Sequence, residues 1–311
     1  MFPSIEPFAT GHLSATDGNE IYWEASGNPK GRPALYLHGG PGGGMMTRYR
    51  CHFDPEKFLI IGFEQRGCGR SRPLATENLA LLSTNTSPAL IADIEQLREH
   101  FNAQSWLLLG VSWGTTLALA YAQAHPDRVS GMVLGAVTTT SAFEVNWITE
   151  QMGHLFPREW EQFVEGAHAK PGQPLIDAYY ELITDSNEKL RRRAARAWCA
   201  WEDVHVSLDP KHTPDPRYLE PEFSLLFATL VIHYWKHAGF TNEILGNMEL
   251  VSHIPGVLIH GRLDVSSPLE TAWRLHKAWP ASELVVVETE GHGGPEMADE
   301  MTAAISRVRC L

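Results

Sequence analysis

The 311-residue sequence predicts an α/β protein in which a mostly parallel central sheet, covered by helices, is interrupted once by a helical insertion. Three observations carry this. Short apolar runs alternate with segments of helical spacing through the first half, as repeated strand–helix–strand units require. From residue 141 to 247 the chain is instead rich in Trp, Glu, Arg and Ala at helical spacing, with proline-rich breaks at 171–174 and 210–221. Strand-like runs then return. The expected organisation is a core of residues 1–140 and 248–311, with residues 141–247 as a helical cap over the carboxyl edge of the sheet. Ligands of open α/β sheets bind at that edge.

The elements follow in order. Ala34-Leu35-Tyr36-Leu37 reads as a strand running into the glycine loop 38–44, His-Gly-Gly-Pro-Gly-Gly-Gly. Residues 58–63 form a second strand, ending in the turn Glu64-Gln65-Arg66-Gly67-Cys68-Gly69-Arg70-Ser71. Leu90, Ile94, Leu97 and Phe101 share one helical face. Residues 106–109 are a third strand, residues 115–124 a helix stopped near Pro126, and residues 129–137 a fourth strand. Val257-Leu258-Ile259 and Leu284-Val285-Val286-Val287 resume the sheet, each followed by a polar loop.

Composition narrows the function classes. A hydrophobic share of 43% and a charged share of 20% are those of a globular chain, which sets aside disorder, collagen and coiled coil. A formal net charge of −12 argues against a nucleic-acid partner, which needs a basic face. No apolar stretch is long enough to span a bilayer, and the N-terminus lacks the basic start and apolar run of a secretory signal. Cys51, Cys68, Cys199 and Cys310 show no paired spacing, so neither a disulfide framework nor a zinc site is expected. These readings favour a cytoplasmic enzyme without membrane attachment.

The chemistry centres on Gly110-Val111-Ser112-Trp113-Gly114. This G-x-S-x-G pattern follows a strand and opens a helix, the context of a nucleophile elbow, where a strained turn exposes the serine and small neighbours let backbone approach it. A serine hydroxyl needs a base, and the base needs an orienting carboxylate. Asp264 lies just beyond a late strand, in His260-Gly261-Arg262-Leu263-Asp264, and His292 follows the last strand, in Glu290-Gly291-His292-Gly293. Alone, Asp264 reads as a turn residue and His292 as a surface histidine. Together, in the order Ser, Asp, His, they read as a triad. The developing oxyanion needs preorganised N–H donors, expected from Trp113 and from Gly40 in the glycine loop. That loop lacks both a G-K-[ST] ending and G-x-G-x-x-G, which disfavours phosphate binding. His125, His205 and His260 lack comparable context and read as structural. His233 and His237 sit four residues apart but without H-E-x-x-H, so no metal site is expected there.

Beyond the elbow, residues 38–44, Gln65-Arg66-Gly67-Cys68-Gly69-Arg70-Ser71, Ser112-Trp113-Gly114, Leu117 to Gln123, Gly261-Arg262-x-Asp264, Lys277-Ala278-Trp279-Pro280 and Gly291-His292 resemble proline iminopeptidases. These are serine aminopeptidases of the α/β-hydrolase fold, and the resemblance runs over nearly the whole chain. It implies the triad Ser112, Asp264 and His292, the oxyanion donors Gly40 and Trp113, and Glu202 in Trp201-Glu202-Asp203 as a cap carboxylate for the substrate amine. It also exposes departures. The position of the family's second cap glutamate is taken by Val231, and aromatic pocket positions by Thr138 and Ile148. The cysteine after the catalytic Asp is replaced around Ser266-Ser267, and D-Q-R-G begins with Glu64. Asp203 is not expected to replace the missing carboxylate, because adjacent residues of a helix point about 100° apart.

The expectation is therefore a serine hydrolase releasing an N-terminal proline-like residue through an acyl-enzyme, with no metal or organic cofactor and a small peptide, amide or ester as substrate. The alternatives are an esterase or amidase with altered acyl specificity and, further off, a non-catalytic binding protein. Oligomeric state is left open.

Overall fold

The computed structural model describes residues 1–15, 17–210 and 212–308. Eight strands form a single sheet: β1 (Ala9–Ser14), β2 (Glu20–Gly27), β3 (Arg32–Leu37), β4 (Phe58–Phe63), β5 (Trp106–Val111), β6 (Val129–Gly135), β7 (Gly256–Gly261) and β8 (Ser282–Val287). Their spatial order is β1-β2-β4-β3-β5-β6-β7-β8. β1 and β2 pair antiparallel, β2 joins β4 antiparallel, and every later neighbour is parallel. The central strands are apolar on both faces because helices cover both sides. β1 instead alternates half-buried and exposed residues, as expected of an edge.

The core helices are α1 (Ser87–His100) and α2 (Trp113–Ala124), with α8 (Leu269–Ala278) and α9 (Pro295–Arg307) towards the C-terminus. Between β6 and β7 lies the helical insertion, with α3 (Ala142–Asn146), α4 (Pro157–Ala167), α5 (Leu175–Ile183), α6 (Glu188–His205) and α7 (Pro221–Lys236). It has an apolar centre of its own around Phe163, Tyr179, Trp198 and Trp201. α7 is buried on two sides. Leu226, Leu230 and Tyr234, spaced four apart, pack into the main core, whereas Leu225, Ala228, Val231 and Ile232 pack into the insertion's centre. Such a helix is apolar all round because neither face meets water. Among the described residues no helix is long and apolar enough to cross a membrane.

Candidate active site

Parallel strands all end at one edge of a sheet, and the loops leaving that edge converge there. Ser112 sits between β5 and α2 with φ 55° and ψ −126°, a conformation that a non-glycine residue holds only when its surroundings enforce it. The flanking glycines explain how. A Cβ on Gly110 would come within 2.5 Å of the Gly114 carbonyl oxygen, and one on Gly114 would overlap the Leu37 carbonyl. On the other side Gly39 lies so close that its Cβ would stand 3.1 Å from the Ser112 Cβ. Only hydrogens fit in these spaces.

Asp264 lies on the loop after β7 and His292 on the loop after β8; the two loops are tied by Leu263 N–H donating to the Glu290 carbonyl at 2.9 Å. Glu290 in turn accepts the Glu296 and Met297 N–H groups at 2.8 Å each, fixing the His292 loop to the start of α9. The His292 N–H donates to the Val206 carbonyl of the insertion at 3.0 Å.

The structure brings the three sequence-selected residues into one chain of hydrogen bonds. His292 Nδ1 lies 2.8 Å from Asp264 Oδ2, and His292 Nε2 lies 2.8 Å from Ser112 Oγ. A carboxylate only accepts, so the ring proton sits on Nδ1 and leaves Nε2 to receive the serine proton. Burial would raise the Asp264 pKa, but the facing His292 charge and hydrogen bond outweigh it and hold the carboxyl below its usual range. Burial likewise works against a charged His292, yet Asp264, with help from Glu202, lifts its pKa above the ordinary histidine value. Each therefore favours the state in which Asp264 is ionised.

Below the glycine loop 38–44 the polar residues are locked. His38 Nε2 accepts the Gln65 N–H at 3.0 Å, which places its proton on Nδ1, 2.9 Å from the Gly39 carbonyl. Gln65 closes the link by donating to the His38 carbonyl at 2.9 Å and accepting from Trp113 Nε1 at 2.8 Å. The E-Q-R-G turn thus braces both loops that carry the expected oxyanion donors. Glu64 is occupied with Arg70.

These residues open on a cavity of about 610 Å³ between the sheet edge and the insertion, bordered by Gly40, Ser112, Trp113 and His292 below and by Glu202, Asp203, Asp215, Arg217 and Tyr218 above. Glu202 is buried, and burial pushes its pKa up to about 7 even though Trp198 Nε1 donates to it at 2.9 Å. Asp203 borders the same cavity despite its neighbouring helical position, because the chain after α6 folds back and wraps it. Its Oδ1 accepts the Asp215 N–H at 3.1 Å.

The departures separate. Thr138 and Ser266-Ser267 border the cavity. Val231 and Ile148 do not; both are packed in the insertion's apolar centre. Three of the other histidines make hydrogen bonds: His260 bridges the Val137 N–H and the Ser267 carbonyl, and His233 and His237 contact the carbonyls of Asn85 and His233. His205 is fully buried, 3.6 Å from Glu202, and burial pushes its pKa down to about 3. Sequence reading passed over Arg217, Asp215 and Gln65 as site residues. Only Gln65 carried a signal, through its motif.

Residues 33–296 match the family model of the α/β-hydrolase fold. The chain is 40% identical over 296 residues to a probable proline iminopeptidase of Leptolyngbya boryana, covering 94% of this chain and 91% of that one. It is 39% identical to the proline iminopeptidase of Arabidopsis thaliana, over 100% and 82% of the two chains. With the Neisseria gonorrhoeae proline iminopeptidase it shares 38%, over 99% and 98%. The chain belongs to the proline iminopeptidase family. Among solved structures, the proline iminopeptidase-related protein of Thermus thermophilus superposes with a TM-score of 0.62 at 20% identity, over 96% of this chain and 97% of that one, a likeness of fold. This iminopeptidase-type hydrolase therefore combines a mostly parallel sheet and a helical insertion with a serine, histidine and aspartate in hydrogen-bond contact at the sheet edge.

Proposed function

We propose that this enzyme cleaves the bond after a free N-terminal residue, proline-like in its leading reading, of small peptides and related amides or esters. Ser112 Oγ attacks the carbonyl carbon while His292 Nε2 takes its proton; Asp264 holds the imidazole and balances the imidazolium. The N–H groups of Trp113 and Gly40 receive the oxyanion. His292 then gives its proton to the leaving amine or alcohol, and in the second half-reaction activates the water that hydrolyses the acyl-enzyme. Glu202 meets the substrate ammonium. A desolvated cation needs an anionic partner, which restricts the site to chain ends. Residues 141–247 act as the cap that supplies this carboxylate.

One observation carries the reading: the hydrogen-bonded Ser112–His292–Asp264 chain opens on the cavity that also holds Glu202. A second reading, a different acyl preference on the same machinery, is favoured by Thr138 on the cavity wall. The deciding experiment is a panel of aminoacyl and non-amino acyl chromogenic substrates, free and N-blocked. Cleavage of blocked substrates as fast as free ones would leave an esterase or amidase on this scaffold. A cytoplasmic location is consistent with Cys51, Cys68 and Cys199, all free and buried; Cys310 lies outside the described residues.

A further inference from the structure

Two contacts reach from the insertion to the oxyanion loop. Leu230 of α7 presses on Gly42, where a Cβ would stand 2.9 Å from the Leu230 Cδ1. Arg217, in the segment between α6 and α7, donates from Nη1 to the Gly43 carbonyl at 2.9 Å, across 174 residues of chain. The guanidinium is held from behind: Nε donates to both oxygens of Asp215 at 3.1 Å and Nη2 to one of them at 2.7 Å, while its Cζ stands over the Phe223 ring, 4.6 Å from the centroid. Asp215 is itself tied to Asp203, the neighbour of Glu202. Beyond Gly43 the path continues, since the Gly43 N–H donates to the Gly39 carbonyl at 3.3 Å and Gly39 packs on Ser112. The Arg217 charge is felt further in: burial is the chief reason the His38 pKa is depressed, and Arg217 adds to it.

We propose that Arg217 is a positioning residue that fixes the oxyanion loop. It anchors the Gly43 carbonyl to the Asp203–Asp215 side of the substrate cavity, so that the glycine loop presents its N–H groups at a set distance from Ser112. Seven residues with five glycines have little intrinsic preference for one conformation, and fixing such a chain costs more entropy than fixing any other. A fork that grips a carboxylate with one edge and a carbonyl with the other is a task for arginine; a lysine offers a single flexible ammonium. Arg217 borders the cavity, but Nε, Nη1 and Nη2 are taken up by Asp215 and Gly43, and it touches neither the reacting atoms nor the serine, so its effect is expected on the transition state rather than on ground-state binding.

The proposal rests on the triad reading above, and the test separates the two. Steady-state kinetics with a prolyl chromogenic amide are compared for the wild type, Arg217→Met, Arg217→Lys and Ser112→Ala, together with inhibition by a prolyl boronic acid, which mimics the tetrahedral intermediate, and by free proline. Arg217→Met is expected to lower kcat about tenfold with KM changed by less than about threefold, as for loss of a charge-assisted hydrogen bond felt at the transition state. The boronate should weaken by the same factor and free proline should not; Arg217→Lys should recover part of kcat. A rise in KM at wild-type kcat, or unaltered boronate affinity, overturns the proposal. If Arg217→Met does not fold, Asp215→Asn serves: kcat falling about threefold in the same pattern supports the role, and unchanged kcat refutes it. Ser112→Ala at full activity would instead sink the triad.

Discussion

At the scale of single residues, the site depends on two carboxylates in opposite circumstances. Asp264 is buried but faced by His292, and stays ionised; Glu202 is buried with one indole N–H for company, and its pKa rises to about 7. The proposed mechanism needs His292 neutral, so kcat/KM is expected to fall as pH drops through its raised pKa, with the acid limb above the ordinary histidine value of ~6.5. Ionised Glu202 contributes to that elevation. Glu202→Gln should therefore move the acid limb to lower pH, while cutting kcat/KM for a free-amine substrate by about tenfold or more. A pH–rate profile unshifted by the substitution would show that Glu202 does not act on His292. Ser112→Ala should cost about 10⁶-fold in kcat, by analogy with loss of the subtilisin nucleophile, and leave the circular dichroism spectrum intact. That Ser112, His292 and Asp264 would meet was readable from sequence, because each follows a strand, in the chain order this fold uses. Arg217 was not: its meaning lies in a contact with Gly43, and no spacing rule joins residues 174 positions apart.

At the scale of elements, the elbow shows why glycine recurs at fixed offsets. The chain turns from β5 into α2 so tightly that α2 lies against the end of β3, and Gly114 is the point of contact. Gly114→Ala should destabilise the protein by about 1–3 kcal/mol through overpacking and reduce kcat as well, because the displaced backbone carries Ser112. Denaturant unfolding alongside kinetics checks this, and wild-type stability would contradict the packing argument. The sequence announced the parallel strands through continuous apolar runs, which burial on both faces demands. It did not announce β1 and β2, whose polar positions dilute the run; only β2 is well buried, and β1 is an edge. Val231 illustrates a different limit. Alignment placed it at a recognition position, but α7 turns it into the insertion's apolar centre, where valine is the ordinary choice. Ile148 follows the same logic.

At the scale of the whole molecule, α7 belongs to two cores at once. Leu230→Ala should cost about 2–5 kcal/mol and unfold sheet and insertion in one transition, because the truncated side chain supports the main core and the glycine loop together. Two separated calorimetric transitions would show the insertion melting independently. A helix so embedded also makes the insertion a fixed wall. The exposed residues around the cavity, Met46, Arg48, His212, Thr213 and Gly293, then mark its mouth, and Glu202 lies in its buried interior. Such a vestibule imposes a queue. With Glu202 receiving the substrate ammonium as proposed, the substrate would enter amine first, the fragment nearer the mouth would depart first, and the released N-terminal residue would leave last by the same door. On that proposal long chains would feed their ends into this enzyme without the rest of their bulk ever entering, and the freed amino acid, last out, would be the natural competitor of the next chain end.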